Sequence, residues 1–302
     1  MNAVIEQPAE IQQWNVWIDG AQITIGFWEG IPNPLYHAGP GISKSGLDAI
    51  NESPLYYKTL RENPRPETPT LALGTAVHAA VLEPERFERD FVPDPFPGSR
   101  SKDAIAARQL LELDGKTIIR HEPNPESIWD RGDWDTIRYV RDAILAHPEA
   151  AIFLDPADGL SELSCYWIDP VTHRLCKCRH DFLNRAHRMI VDLKTATDAT
   201  FSGFQRAVHD YRYDVAAAWY QDGTRLAGEH VEAMVFVVAE KKPPYHVGTY
   251  EIDKDWVREG RVKYQQNMRV YHECMKAQEW PSIPDHTRIL TQPGFAKYNP
   301  IS

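Results

Sequence analysis

Asp181, Asp192 and Lys194 are the residues whose types and spacing could do chemistry. They lie in RLCKCRHDFLNRAHRMIVDLK, residues 174–194, where two apolar runs, 175–182 and 189–193, flank the polar turn Asn184-Arg185-Ala186-His187. The pattern predicts a strand, a turn and a second strand. Asp181 ends the first run and Asp192 lies within the second, so each strand delivers a carboxylate. Side chains alternate along a strand, which puts Asp192 and Lys194 on one face. Two carboxylates can hold one or two Mg²⁺ ions. A lysine beside them can orient an attacking water, help deprotonate it and offset charge on a phosphorane. The spacing suits metal-dependent hydrolysis of a phosphodiester. A D-x-K triplet also arises as an ordinary solvated strand edge. Against that stands the setting of Asp192, between Met189-Ile190-Val191 and Leu193, where burying an unpaired carboxylate is costly unless a metal or a fixed cation meets it.

Such a strand pair needs a sheet and covering helices. LSELSCYWID (160–169) reads as a preceding strand, and the short turns at 170–173 and 184–187 imply an antiparallel meander. MVFVVA (234–239) reads as a buried strand, paired with YHVGTYEI (245–252) across Lys241-Lys242-Pro243-Pro244. Helices are expected from Ser43, as N-cap, through Leu47, Ile50 and Leu55; over LALGTAVHAAVLEPERF (71–87); and over 102–113. Further ones are expected at about 124–146, 197–211, 213–227 and about 254–278. Gly74 in the second helix reads as allowing close approach of a neighbour. His78 lies next to the apolar face marked by Leu73, Val77, Ala80 and Val81, where spacing alone reads it as a hydrogen-bonded core residue. WNVWIDGAQITIGFWEG, with Asp19-Gly20 between two alternating segments, predicts a β-hairpin extension over residues 1–35. The main domain would then span 36–280, with a Pro- and Thr-rich tail at 281–302.

Composition narrows the class. In 302 residues, 42% hydrophobic and 25% charged content is that of a globular protein, and no apolar run reaches the length of about 20 residues that a bilayer span needs. The N-terminus lacks a basic stretch followed by an apolar one, so a cytoplasmic protein with no membrane association is expected. Cys165, Cys176, Cys178 and Cys274 include a C-x-C pair but no second pair, which suits neither a disulfide framework nor a metal-thiolate site. A net charge of −10 argues against coating nucleic acid by bulk electrostatics. It leaves room for an enzyme with a local basic track, whose own carboxylates bound metal would neutralise. Arg100 and Lys102 in PDPFPGSRSK form the best basic patch of the first half, and Lys44 and Lys58 lie on the polar face of the first helix.

Several segments together resemble the RecE-type exonucleases, the YqaJ-like branch of the PD-(D/E)XK nuclease superfamily of phage and prophage recombination modules. They are ISKSGLDAINESPLYYK, LGTAVHAAVLEPERF, ELSCYWIDPVTHRLCKCRHDF, MIVDLKTATDA, YRYDVAAAWYQDG and VVAEKKPPYHVGTYEID, six collinear pieces over about residues 41–275. The resemblance implies an α/β (α+β) restriction-endonuclease-like core, a mixed central sheet flanked by helices. It implies Asp181, Asp192 and Lys194 as the catalytic core. For the metal it implies His78, Asp181, Asp192 and the Leu193 backbone carbonyl, with Mg²⁺ as cofactor and Mn²⁺ able to substitute. Glu162 and Tyr220 are auxiliary candidates. One departure stands out: where the family commonly has a glutamine four residues before the helix tyrosine, this chain has Ala216 before Tyr220.

The function expected from the resemblance is a Mg²⁺-dependent exodeoxyribonuclease. It would degrade one strand of linear double-stranded DNA from the 5′ end, leaving a 3′ overhang for strand-annealing recombination. DNA ends and a RecT-like single-strand annealing protein would be its partners, and a homo-oligomeric ring, such as a tetramer, its assembly. Arg100, Lys102, Lys177 and Arg179 could steer the DNA backbone, the last two by strand parity with Asp181 if no bulge intervenes, or be plain solvated cations. A structure-specific or nicking endonuclease, and an inactive DNA-binding homologue for which only Ala216 speaks, are the competing readings.

Overall fold

The computed structural model describes residues 16–18, 21–64, 68–119, 132–287 and 289. The first strands are β1 (Val16–Ile18), β2 (Ala21–Ile23) and β3 (Gly26–Trp28). Helices α1 (Asn33–Ala38), α2 (Lys44–Glu52), α3 (Pro54–Glu62), α4 (Pro69–Leu82) and α5 (Pro84–Asp90) follow. Next come β4 (Phe91–Pro93), α6 (Lys102–Leu113), β5 (Thr117–Ile119), α7 (Asp133–Ala146) and α8 (Pro148–Phe153). The meander is β6 (Gly159–Ile168), β7 (Leu175–Asn184) and β8 (Met189–Ala196). Then come α9 (Phe201–Asp210), α10 (Tyr213–Leu226), β9 (Ala233–Glu240), β10 (Val247–Glu251) and α11 (Lys254–Ala277).

The architecture is a mixed α/β fold built on one six-stranded sheet in the order β10-β9-β8-β7-β6-β3. All neighbours are antiparallel except β8 and β9, which run parallel because α9 and α10 carry the chain back between them. Each face is covered. Ile190, Met234, Phe236 and Val238 pack with Val215, Ala218 and Trp219 of α10 and Tyr264 and Met268 of α11. Val191, Leu193, Val237 and Ala239 pack with Val77 and Ala80 of α4 and Ile137, Val140 and Ile144 of α7. Helices on both faces explain why β8 and β9 read as continuous apolar runs rather than alternating ones.

Several elements differ from the sequence expectation, each for a local reason. The helix from Ser43 stops at Ser53, which caps the end of α2 and whose side chain accepts from Tyr56 N to start α3 with Pro54 in its first turn. The helix expected from Thr197 begins at Phe201, because the Thr200 side chain caps it by accepting from Gly203 N. At the N-terminus β1 and β2 pair antiparallel, while β3 leaves that ribbon and pairs with β6 at the edge of the main sheet. The Asp19-Gly20 turn, the part of the expected 124–146 helix before Gly132 and most of the tail lie outside the described residues.

Candidate metal centre

The site sits where two strands part. β8 pairs with β9 along its whole length, from Met189 opposite Ala233 to Ala196 opposite Glu240. With β7 it pairs only at Phe182–Val191, Leu183–Ile190 and Asn184–Met189. Asp181 and Asp192 are the first residues past that fork. Leu193 N, released from the β7 ladder, donates instead to Asp181 Oδ2 at 2.8 Å. On the other side of β7, the pairs Ser161–Phe182 and Leu163–His180 bracket Glu162, which therefore stands opposite Asp181. Glu162 is left-handed, φ 50°, a conformation that breaks the pleat of β6 at this point. Glu162, Asp181 and Asp192 thus lie in line on three neighbouring strands.

α4 closes the site from above. Its Val77 and Ala80 bury against the sheet, which leaves His78 half-buried with Nδ1 3.6 Å from Asp181 Oδ2. Donor atoms of His78, Glu162 and Asp181 all lie within 4.8 Å of one another. The Lys194 ammonium is ion-paired with Asp192, lies 3.4 Å from Leu193 O, and sits 5.4 Å from the centre of the Tyr213 ring.

Electrostatically the cluster is over-supplied with carboxylates. Burial, reinforced by the neighbouring Asp181 charge and opposed by Arg179, pushes the Glu162 carboxyl up to about 8. Burial likewise raises Asp192, against the pull of Lys194. For Lys194 burial works against the charge, yet Asp192 and Asp181 outweigh it and hold the ammonium firmly protonated. Asp192 Oδ2 is buried against the Lys194 ammonium, which is its partner. One imidazole and two close carboxylates, beside a third carboxylate tied to that lysine, form a donor set that fits a divalent cation. His78, Glu162 and Asp181 would hold such an ion, with Asp192 adjoining.

A cleft of about 1030 Å³ opens over this cluster, and His78, Glu162, Asp181, Lys194 and Tyr220 line it. The expected residues divide clearly by position. Glu162 belongs at the centre with His78 and Asp181, whereas Asp192 turns its Oδ2 to Lys194. The Leu193 carbonyl faces the Lys194 ammonium. Arg179 lines the cleft but is held by Ile31 O at 2.7 Å and Ser164 Oγ at 3.0 Å and lies over the Tyr36 ring. Lys177 does not reach DNA: it is 2% exposed, and Nζ donates to Tyr36 O and Gly39 O. Burial, with Arg61 and Arg179 nearby, pushes its ammonium down to about 7. Strand parity does bring Arg179 to the cleft with Asp181. Lys177 shares the Tyr36 ring with Arg179 but is covered by α1 and its C-terminal turn, whose carbonyls take its ammonium. Arg100, in the loop before α6, and Lys102, the first residue of α6, are exposed and outside the cleft lining. Ala216 lies between Tyr213 and Tyr220 on α10, both of which line the cleft.

Sequence reasoning missed Tyr213. It stands at the start of α10 directly after Arg212, whose backbone is left-handed (φ 54°) and whose guanidinium donates to Asp48 at 2.9 Å and Asn267 at 2.7 Å. No pattern in YRYD announces that kink, since the residues that hold it come from two distant helices.

The family model that matches the chain is described as a PDDEXK-like domain of unknown function (DUF3799), and it covers residues 43–293. No curated protein matches the sequence. Among solved structures, a crystal structure of a protein described as a candidate exonuclease from Eubacterium rectale superposes with a TM-score of 0.58 at 13% identity, over 88% of this chain and 96% of that one. A crystal structure of SSO0001 reaches a TM-score of 0.29 at 11% identity, over 49% of this chain and 69% of that one. At such identities the first likeness speaks to the fold and the second carries no argument.

Proposed function

The chain belongs to the DUF3799 family of PDDEXK-like domains, and from that premise we propose that it is a divalent-metal-dependent nuclease, specifically a Mg²⁺-dependent exodeoxyribonuclease acting on linear double-stranded DNA. The observation that carries the reading is the row of Glu162, Asp181 and Asp192 across three strands, with His78 above it and Lys194 beside it. A bound divalent ion would supply Lewis-acid polarisation of the scissile phosphate and a water of lowered pKa. His78, Glu162 and Asp181 would hold and orient it. Asp192 fixes Lys194, whose ammonium offsets charge on the phosphate as it is attacked. Leu193 N holds the Asp181 carboxylate in place by donating to its Oδ2. Tyr211, exposed on the cleft lining and tilted against Tyr213, offers a face on which a base can stack.

Resection from the 5′ end, production of a 3′ overhang for a RecT-like annealing protein, and a ring-shaped homo-oligomer complete this reading, and they rest on the sequence resemblance. Linear and covalently closed plasmid are incubated with Mg²⁺, with Mn²⁺ and with EDTA. We expect loss of linear DNA alone, in either metal and not in EDTA. Nicking of closed circles would assign the scaffold to an endonuclease, and no cleavage of either would reject the nuclease reading.

A further inference from the structure

Glycine inside a helix costs stability relative to alanine, so a mid-helix glycine calls for something that leaves no room for a Cβ. At four other helical glycines that something is protein. A Cβ would fall 2.2 Å from the Asp198 carboxylate at Gly203, 2.6 Å from the Trp167 ring at Gly223, 2.1 Å from Asp214 O at Gly260 and 3.0 Å from Ile42 at Gly46. Gly74, in the middle of α4, is different. Its backbone has no positive φ, and among the described residues the nearest atom to its Cβ position is Thr195 Oγ1 at 3.9 Å, an ordinary contact. Among the described residues, neither conformation nor packing requires a glycine there.

What lies in front of Gly74 is the cleft. Leu71, Gly74, Thr75 and His78 succeed one another at helical spacing, form one stripe of α4 and all line it. The Thr75 hydroxyl donates back to Leu71 O at 3.0 Å and so is drawn toward its own helix. The stripe therefore has a dip one turn before the metal-facing His78. We propose that this dip is a substrate subsite, where the sugar–phosphate backbone of the cut strand crosses α4 in contact with the helix at Gly74. The inference rests on the nuclease reading and adds to it the path of the strand. Close approach of a ligand backbone is a recognised reason for glycine, and here it is the one left standing.

The test is a size series, Gly74→Ala and Gly74→Leu, in the full chain. Melting temperature is measured alongside the Kd for a short DNA duplex in Ca²⁺ and the rate of its degradation in Mg²⁺. Gly74→Ala should raise Tm by about 2 °C through helix propensity. It should weaken DNA binding roughly tenfold, which corresponds to about 1.4 kcal/mol, and Gly74→Leu should weaken it further. Wild-type affinity and rate in Gly74→Ala would overturn the subsite. A Tm lowered by the alanine would also overturn it, by showing that a protein neighbour needs the space. If the wild-type chain neither binds nor cuts DNA, the nuclease reading itself falls and takes the subsite with it, an outcome told apart because no variant is involved.

Discussion

Asp181 and Asp192 differ in what their charge is for, although both stand at one fork. Asp181 accepts from Leu193 N and faces His78, so Asp181→Asn removes a ligand charge while keeping a hydrogen-bond acceptor. Hydrolysis should fall at least 100-fold with Tm nearly unchanged, and a variant retaining a tenth of the wild-type rate would refute the role. The pH dependence of stability separates the ligands from ordinary carboxylates. In the metal-free protein Glu162 has its affinity for a proton raised to about 8, above its unfolded value, mainly by burial and then by Asp181. The folded state therefore binds more protons than the unfolded one between about pH 4.5 and 8, and stability falls as pH rises through that window. In EDTA, Tm should decline from pH 5 to pH 8, and Glu162→Gln should flatten the decline. Mg²⁺ added at pH 8 should restore Tm to the wild type and much less to the variant. Much of this was legible in the sequence at residue scale: an aspartate in an apolar run and a lysine two positions on. The weight of Glu162 was not, because it depends on register across β6 and β7 and on a left-handed backbone that no local pattern marks. Nor does any local pattern mark the burial of Lys177, because the carbonyls that take its ammonium come from α1 and its C-terminal turn, far away in the chain.

The elements that make the fork were legible as periodicities, and the fork itself was not. Runs at 160–169, 175–182, 189–193 and 234–239 announce strands. That β8 abandons β7 for β9 after three pairs follows from α9 and α10 returning the chain alongside it, a long-range event. α10 matters most here, since it carries Tyr213 and Tyr220 on its cleft side with Ala216 between them. Val215, Ala217, Ala218 and Trp219 belong to the core cluster, and Ala216, itself buried at 7% exposure and outside the cleft lining, lies between the two cleft tyrosines. By its four-residue spacing from Tyr220, a glutamine at 216 is expected to reach past that ring to the cleft, where its amide could donate to a phosphate oxygen. A bond to a charged group is worth about 1.5–3 kcal/mol. Ala216→Gln should raise the hydrolysis rate roughly tenfold with little change in Tm. An unchanged rate with a lowered Tm would mean that the position faces packed neighbours.

Over the whole molecule, the charge decides how DNA must be held. The chain carries 43 acidic against 33 basic residues, so long-range attraction to a polyanion is unfavourable. Inside the cleft most cations are already engaged, and among the described residues Lys241 is the lining cation with no ion pair. Among the described lining residues, Lys44 is paired with Asp48, Arg86 with Glu83, Arg179 with Glu162, Lys194 with Asp192 and Arg206 with Asp198. A cation tied to a carboxylate neutralises little phosphate charge, so few condensed counterions should leave DNA on binding. The plot of log K against log salt falls by about 0.9 per phosphate neutralised. In Ca²⁺ its slope should be shallow, about −2 to −4. On the proposed function, the attraction missing from side chains would come from a divalent ion held by His78, Glu162 and Asp181, which would turn the most negative part of the cleft into a phosphate site. Replacing Ca²⁺ by EDTA at constant ionic strength should weaken duplex binding at least 100-fold, more than a doubling of salt does. A steep salt slope together with metal-independent binding would locate the DNA on a basic surface away from this cleft.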